Sequence, residues 1–373
     1  MLHLDPVTED DLRRLDAQRG TPCVTLTMPT QPATIPSLRE DTLALRDLRE
    51  EAVRRLEAAG LDKAAIADID ERLRALEEDG TFWKWVANGL VVFVKPGMLR
   101  TVRLPETLAR RIEISDRFHI KPLAPLLTNR HDAYVLELEQ RRVRLLRVDE
   151  GQVTEVEDTG LPKDLDDFVE HERTPENTVT SGIQQSSEKK IRQRQFAHHV
   201  EQVMRRVLQG RRTPLVLAGV ESILGFYREV NTYPHLAEEA IAGNQSRTGD
   251  EEIAERARAI VDARFDRALA EALARVDELR NVGKGSSDLS EIARAAEEGR
   301  VDTLVVSLDE TVYGRLEDGI GSFVPGEEAS VATYDVLDEI VGRTVRTGGR
   351  VLAAHADRLP EGLKAAATFR YAA

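Results

Sequence analysis

The sequence predicts a multidomain protein of mixed α/β and α+β class. Three observations predict it: two long helix-patterned segments near the N-terminus, short β-branched runs around them, and a C-terminal hundred residues in which helix and strand alternate. The 373 residues leave room for two or three domains, and a 41% hydrophobic content is enough for packed cores although only 5% is aromatic. The single cysteine, Cys23, excludes a disulfide framework or a cysteine-based zinc cluster, and its apolar surroundings predict a buried, inert thiol. The start MLHLDPVTEDD lacks the basic and apolar regions of a signal peptide. The longest apolar run, GLVVFV, is far too short for a membrane span and reads as a strand. A cytoplasmic protein without membrane contact is expected.

Residues 1–125 predict an α+β domain. A short helix (DDLRRLDAQ) and the strand CVTLTM precede two long helices, LREDTLALRDLREEAVRRLEAAG and DKAAIADIDERLRALEEDG. Each ends on glycine and carries charges at i,i+4 spacing, the pattern of a helical hairpin. TFWKWVA, LVVFV, MLRTVRL and RRIEI read as strands, which puts Trp83 and Trp85 on one face as packing residues. Pro122 and Pro125 mark a boundary.

Residues 126–280 predict an α/β domain: three antiparallel strands within AYVLELEQRRVRLLRVDEGQVTEVE, a polar stretch from Pro162 to Lys190, a helix, the strand TPLVLAGV, the helix SILGFYREV, the turn NTYPHL, and a long helix capped at Thr248. Residues 281–373 predict an α/β sandwich of parallel βα units.

One segment departs from the acidic average. Net charge is −14, yet from Ser187 to Arg212 eight basic residues face two acids, so that region is +6 and the remainder −20. At 100° per residue, Phe196, Val200, Val203, Met204 and Val207 form an apolar stripe, with Arg194, His198 and Arg205 opposite. The packed helix is therefore expected to begin near Phe196, and the ten residues before it to project as a loop. Two readings stay open: a solvated helix face, or an arm that contacts RNA.

Other motifs fall short of chemistry. His198 and His199 are adjacent on a helix and point apart, so they do not share a metal, and no metal or cofactor is expected. His171-Glu172 lacks a second histidine four residues on, Ser222 lacks flanking glycines, and Gly283-Lys284-Gly285 lacks the spacing of a phosphate loop.

The order of these segments resembles a known family. VGKGSSDLSEIARAAEEGRVDTLVVS with GGRVLAAHADRLPEGLKAAATFRY is similar to the third domain of archaeal and eukaryotic class 1 release factors and of Pelota, a domain of the kink-turn-binding ribosomal-protein fold. The middle segment, with PLVLAGVESILGFYREVNTYPHL, is similar to their second domain, and the whole chain resembles the bacterial and archaeal release-factor-like family, group 3. In release factors the loop before this helix carries Gly-Gly-Gln, whose glutamine positions the water that hydrolyses peptidyl-tRNA. Here Ile183 and Gln184 stand where the two glycines belong, before Gln185, which argues against hydrolysis. The kink-turn motif is likewise degraded to Gly285-Ser286-Ser287-Asp288, with Glu291 in place of a lysine.

The resemblance implies a non-catalytic, ribosome-associated translation factor, in rescue of stalled or hibernation of idle ribosomes. Its RNA contacts would be Gln184, Gln185, Lys189, Lys190, Arg192, Arg194, His198, Arg205 and Arg206. Implied partners are the ribosome with its rRNA and tRNA, and a GTPase or other protein at the acidic C-terminal domain. The rival readings are a peptidyl-tRNA hydrolase, an RNase, and a protein-interaction scaffold that has left the ribosome.

Overall fold

In the computed structural model, the residues described are 5, 7–31, 35–128, 132–149, 152–172, 182–211, 213–245, 248–316, 323–326 and 333–372. The elements run α1 (Glu9–Asp16), β1 (Arg19–Pro29), α2 (Ile35–Ala58), α3 (Lys63–Glu78), β2 (Gly89–Lys95), β3 (Met98–Leu104), β4 (Arg111–Arg117), α4 (Pro125–Thr128), β5 (Ala133–Leu138), β6 (Val143–Asp149) and β7 (Gln152–Glu155). Then come α5 (Leu165–Glu172), α6 (Gly182–Val207), β8 (Leu215–Gly219), α7 (Glu221–Val230), β9 (Leu236–Ala242), α8 (Asp250–Arg280), β10 (Gly285–Ser286) and α9 (Leu289–Glu297). The chain closes with β11 (Val301–Ser307), β12 (Tyr313–Leu316), β13 (Phe323–Pro325), β14 (Tyr334–Asp335), α10 (Val336–Arg346), β15 (Arg350–Ala354) and β16 (Ala365–Phe369). None of the described helices is long and apolar enough to cross a membrane.

Contacts divide the chain into two units: 1–129 with 267–373, and 130–266. In the first, β1–β4 form an antiparallel sheet in the order β3-β2-β1-β4. Its two faces serve different cores. Leu90, Val92 and Val94 point to the α2–α3 hairpin, while Val91 and Phe93 point to a core shared with α9, α10, β11 and β16. Burial on both faces is why β2 reads as an unbroken apolar run instead of alternating. Cys23 is fully buried in the shared core, and burial pushes its thiol up to about 11.

TFWKWVA is not a strand. Phe82–Lys84 is a single turn of 3₁₀ helix that buries Trp83, whose indole N–H donates to the Leu76 carbonyl, and leaves Trp85 half exposed. The C-terminal sheet, ordered β10-β16-β11-β15, is only partly parallel. β11 and β15 pair parallel, but β16 returns antiparallel to β11, and the ten residues between β15 and β16, with one 3₁₀ turn at Ala356–Arg358, contain no crossover helix.

α10 fastens this unit together. All ten residues from Val336 to Val345 are buried, the charged ones included. Glu339 binds Arg117, Arg19 (3.4 Å) and Arg343 (2.7 Å), and Arg343 also binds Glu297. Lys121 reaches Asp335 at 2.6 Å, and its backbone N–H donates to Asp338, which also lies 3.4 Å from the His119 ring. Burial raises Asp338 well above the carboxylate range and lowers His119 to about 3, so this histidine is neutral. At Gly342 a methyl group would sit 2.2 Å from an Asp16 carboxylate oxygen.

In the second unit a five-stranded sheet runs β7-β6-β5-β8-β9. β5, β6 and β7 are antiparallel, as expected, and β5, β8 and β9 are parallel. β9 lies where no element was expected: LAEEAIA follows the turn as a strand, although Ala and Glu favour helix, because pairing with β8 completes the sheet. α5 also forms within the stretch expected to be irregular, and α8 begins at Asp250, after Gly249, later than the Thr248 cap. α6 and α7 cover one sheet face through Phe196, Ala197, Val200, Met204, Ile223 and Tyr227; Ile253, Ala254, Ala257 and Val261 of α8 cover the other.

Gly342→Ala is expected to lower unfolding free energy by about 1–3 kcal/mol through overpacking. In combination with Asp16→Ala the loss should be smaller than the sum of the single losses, measured by chemical denaturation. The protonation of His119 gives a second expectation. Its folded value, about 3, lies below the ordinary histidine value of 6.5, so the unfolded chain takes up the proton first and stability falls as pH drops below 6.5. Relative to His119→Gln, the wild type should lose up to about 1.4 kcal/mol per pH unit in that window. Asp338 acts with the opposite sign and is common to both proteins.

Candidate nucleic-acid interface

α6 is longer than the sequence pattern allowed. The helix starts at Gly182, not near Phe196, so residues 182–195 do not project as an irregular loop. The packing stripe also begins a turn early, at the buried Gln193, and continues through Phe196, Ala197, Val200, Val203, Met204 and Leu208. α5 helps to seat it: the Phe168 ring lies 5.6 Å from Phe196 and 5.3 Å from His199. The side chains of Gln184, Gln185 and Lys189, and residue Arg212, lie outside the described residues.

The remaining expected contacts are all exposed. Lys190, Arg192, Arg194, His198, Arg205 and Arg206 lie on the outside of α6, with Ile191 57% exposed among them. Arg194 binds Glu229 of α7 at 2.9 Å and sits 5.4 Å from the Phe226 ring centre. Arg205 binds the buried Glu201 at 3.1 Å, and Glu201 also accepts the Thr232 hydroxyl. His198 lies 3.1 Å from the Gln202 amide. The face is therefore a column of cations in which two arginines are held by carboxylates, one at the rim and one rooted in the core.

Among the described residues this face carries no serine, threonine or cysteine beside a base. Among the described residues no group of three His, Cys, Asp or Glu could hold a metal ion. At the degraded kink-turn motif, Asp288 caps α9 by accepting the N–H groups of Ser290 and Glu291, and Ser286 donates to the Glu291 carboxylate. These groups are committed to the fold. An exposed row of cations of this kind has the charge that phosphate groups require.

Sequence reasoning did not point to Glu229 and Glu201 as the carboxylates that position the arginines. Their spacing to Arg205 (i,i+4) was readable for Glu201, whereas Glu229 is distant in sequence.

Residues 134–300 match the family model described as bacterial archaeo-eukaryotic release factor family 3. Among solved structures the chain is similar to a model of ribosome-bound archaeal Pelota and ABCE1 (16% identity, 99% of this chain and 96% of that one, TM-score 0.43). It is similar also to Pelota of Archaeoglobus fulgidus (15%, 99% and 94%, TM-score 0.32) and to an archaeal translation termination factor, aRF1 (14%, 98% and 99%, TM-score 0.24). The curated proteins give no match.

Phe196→Ala is expected to cost about 3–5 kcal/mol, as for other large buried rings. Glu229→Gln, which breaks an exposed pair, should change stability by less than about 1 kcal/mol. Denaturant unfolding of both variants checks the contrast.

Proposed function

From a release-factor-like chain as the premise, we propose a non-catalytic translation factor that binds the ribosome through α6 and acts in rescue or hibernation. The observation that carries it is the exposed cationic face of α6 in a protein of net charge −14. Lys190, Arg192, Arg194, His198, Arg205 and Arg206 meet rRNA phosphates, and Gln184, Gln185 and Lys189 extend that contact toward the start of the helix. Ile183 and Gln184, in the places where two glycines would be needed, argue against hydrolysis of peptidyl-tRNA. A GTPase or other protein partner at the acidic C-terminal segment belongs to the same reading.

Co-sedimentation with ribosomes, at low and high salt and in growing and stationary cells, tests it. Binding should weaken steeply with salt, and the combined variant Lys189→Glu, Lys190→Glu, Arg192→Glu, Arg194→Glu should abolish it. Four phosphate contacts correspond to a log–log salt slope of about −3. Binding indifferent to those reversals, or absent in every growth phase, would sink the proposal. Peptide release from a stalled complex that is lost in Gln185→Ala would replace it with the hydrolase reading.

A further inference from the structure

The basic character of the second unit does not end with α6. Just beyond the helix, Arg211 donates to the Tyr134 hydroxyl at 2.5 Å and to the Val207 carbonyl, with its guanidinium 5.5 Å from the Tyr134 ring centre. Arg147 stands opposite Tyr134 in the β5–β6 register. The Tyr233 hydroxyl donates to the Thr213 carbonyl at 2.6 Å, and its ring lies 5.4 Å from His235 at 78°, while Arg264 donates to the His235 carbonyl. Burial, with Tyr134 nearby, pushes the Tyr233 phenol up to about 12. Tyr134, Tyr233 and His235 thus sit with three arginines where the parallel strands β5, β8 and β9 begin.

We infer that this cluster is a second RNA contact, which holds a single-stranded segment at the far end of α6 from Gly182. The inference rests on the proposed binding of RNA by α6. Arg211, exposed, and Arg147, half exposed, supply cations for the backbone. The perpendicular, partly exposed rings of Tyr233 and His235 form a corner that a base enters, stacked on one and edge-on to the other. Asp149, bound to Arg147 at 2.9 Å, is the carboxylate that RNA would displace there; Asp132 also faces Arg147. The 26 residues of α6 put its two ends roughly 39 Å apart, so the cluster extends the contact made by Arg205 and Arg206 and lies far from the start of the helix.

A fluorescein-labelled single-stranded RNA of about a dozen nucleotides, titrated against the full chain, tests this by anisotropy. Arg211→Gln with His235→Ala should weaken binding about tenfold. His235→Ala alone, which keeps the Arg211 bonds, should give part of that loss, and ultraviolet crosslinks should map to the peptide holding Tyr233 and His235. Unchanged affinity in both variants, or crosslinks confined to 182–206, overturns the second contact. The four-residue charge reversal on α6, followed by ribosome sedimentation, tests the underlying reading separately: if it keeps ribosome binding while the Arg211/His235 variant loses the oligonucleotide, α6 is dismissed and the cluster stands.

Discussion

The structure of the larger unit depends on the buried charge set around α10. Glu339 gathers Arg19 and Arg117 from the N-terminal segment and Arg343 from its own helix. Lys121 does the same for Asp335 and Asp338. Such pairs seldom add much net stability, since desolvation offsets the attraction, but leaving one partner alone costs several kcal/mol. Their effect is selective: the polar side of α10 accepts only a surface carrying the matching charges. The segments 1–129 and 267–373 therefore form one unit although 137 residues separate them in the chain. Gly342 adds a steric condition, because only a residue without a side chain lets the Asp16 carboxylate approach the helix.

α6 shows the opposite use of the same residue types. Its arginines face outward, and the pairs they make leave them available. The Arg194–Glu229 pair has both side chains more than half exposed, so water and salt screen it and a phosphate can replace the carboxylate at little cost. Glu201 is different, because it is buried and also accepts the Thr232 hydroxyl, and so keeps Arg205 oriented. In the sequence, eight cations fall within the 26 residues from Ser187 to Arg212 against a −20 balance elsewhere, an asymmetry of the kind that favours the approach of a polyanion.

Much of this was legible in the sequence, and the exceptions share a cause. Local signals were sufficient for the α2–α3 hairpin, for the antiparallel β5–β7 meander and for the stripe from Phe196 to Val203, where periodicity and capping agree. They failed where pairing outside the segment decides. LAEEAIA has helix-forming residues, but β8 offers a free edge and takes it as β9. Trp83 and Trp85 alternate as a strand would, yet the tight turn after α3 leaves one ring buried and the other half exposed. The charged residues of α10 look like a solvent-facing side; only the distant residues Arg19, Arg117 and Lys121 explain their burial. Of the nine expected RNA contacts, exposure was readable from the helical angle for Arg194, His198 and Arg205, but Glu229, the carboxylate partner of Arg194, was not.

The start of α6 bears on the chemistry. A catalytic glutamine of the release-factor kind needs glycines before it, so that the backbone can take positive φ and pass close to RNA. Here Ile183 and Gln184 are part of a helix, whose residues keep φ near −60° and tie their carbonyls to amides four residues on. The absence of glycine at positions 183 and 184 and the start of the helix at Gly182 thus agree with each other. Both place residues 183–185 in the first turn of a helix and not in a glycine loop.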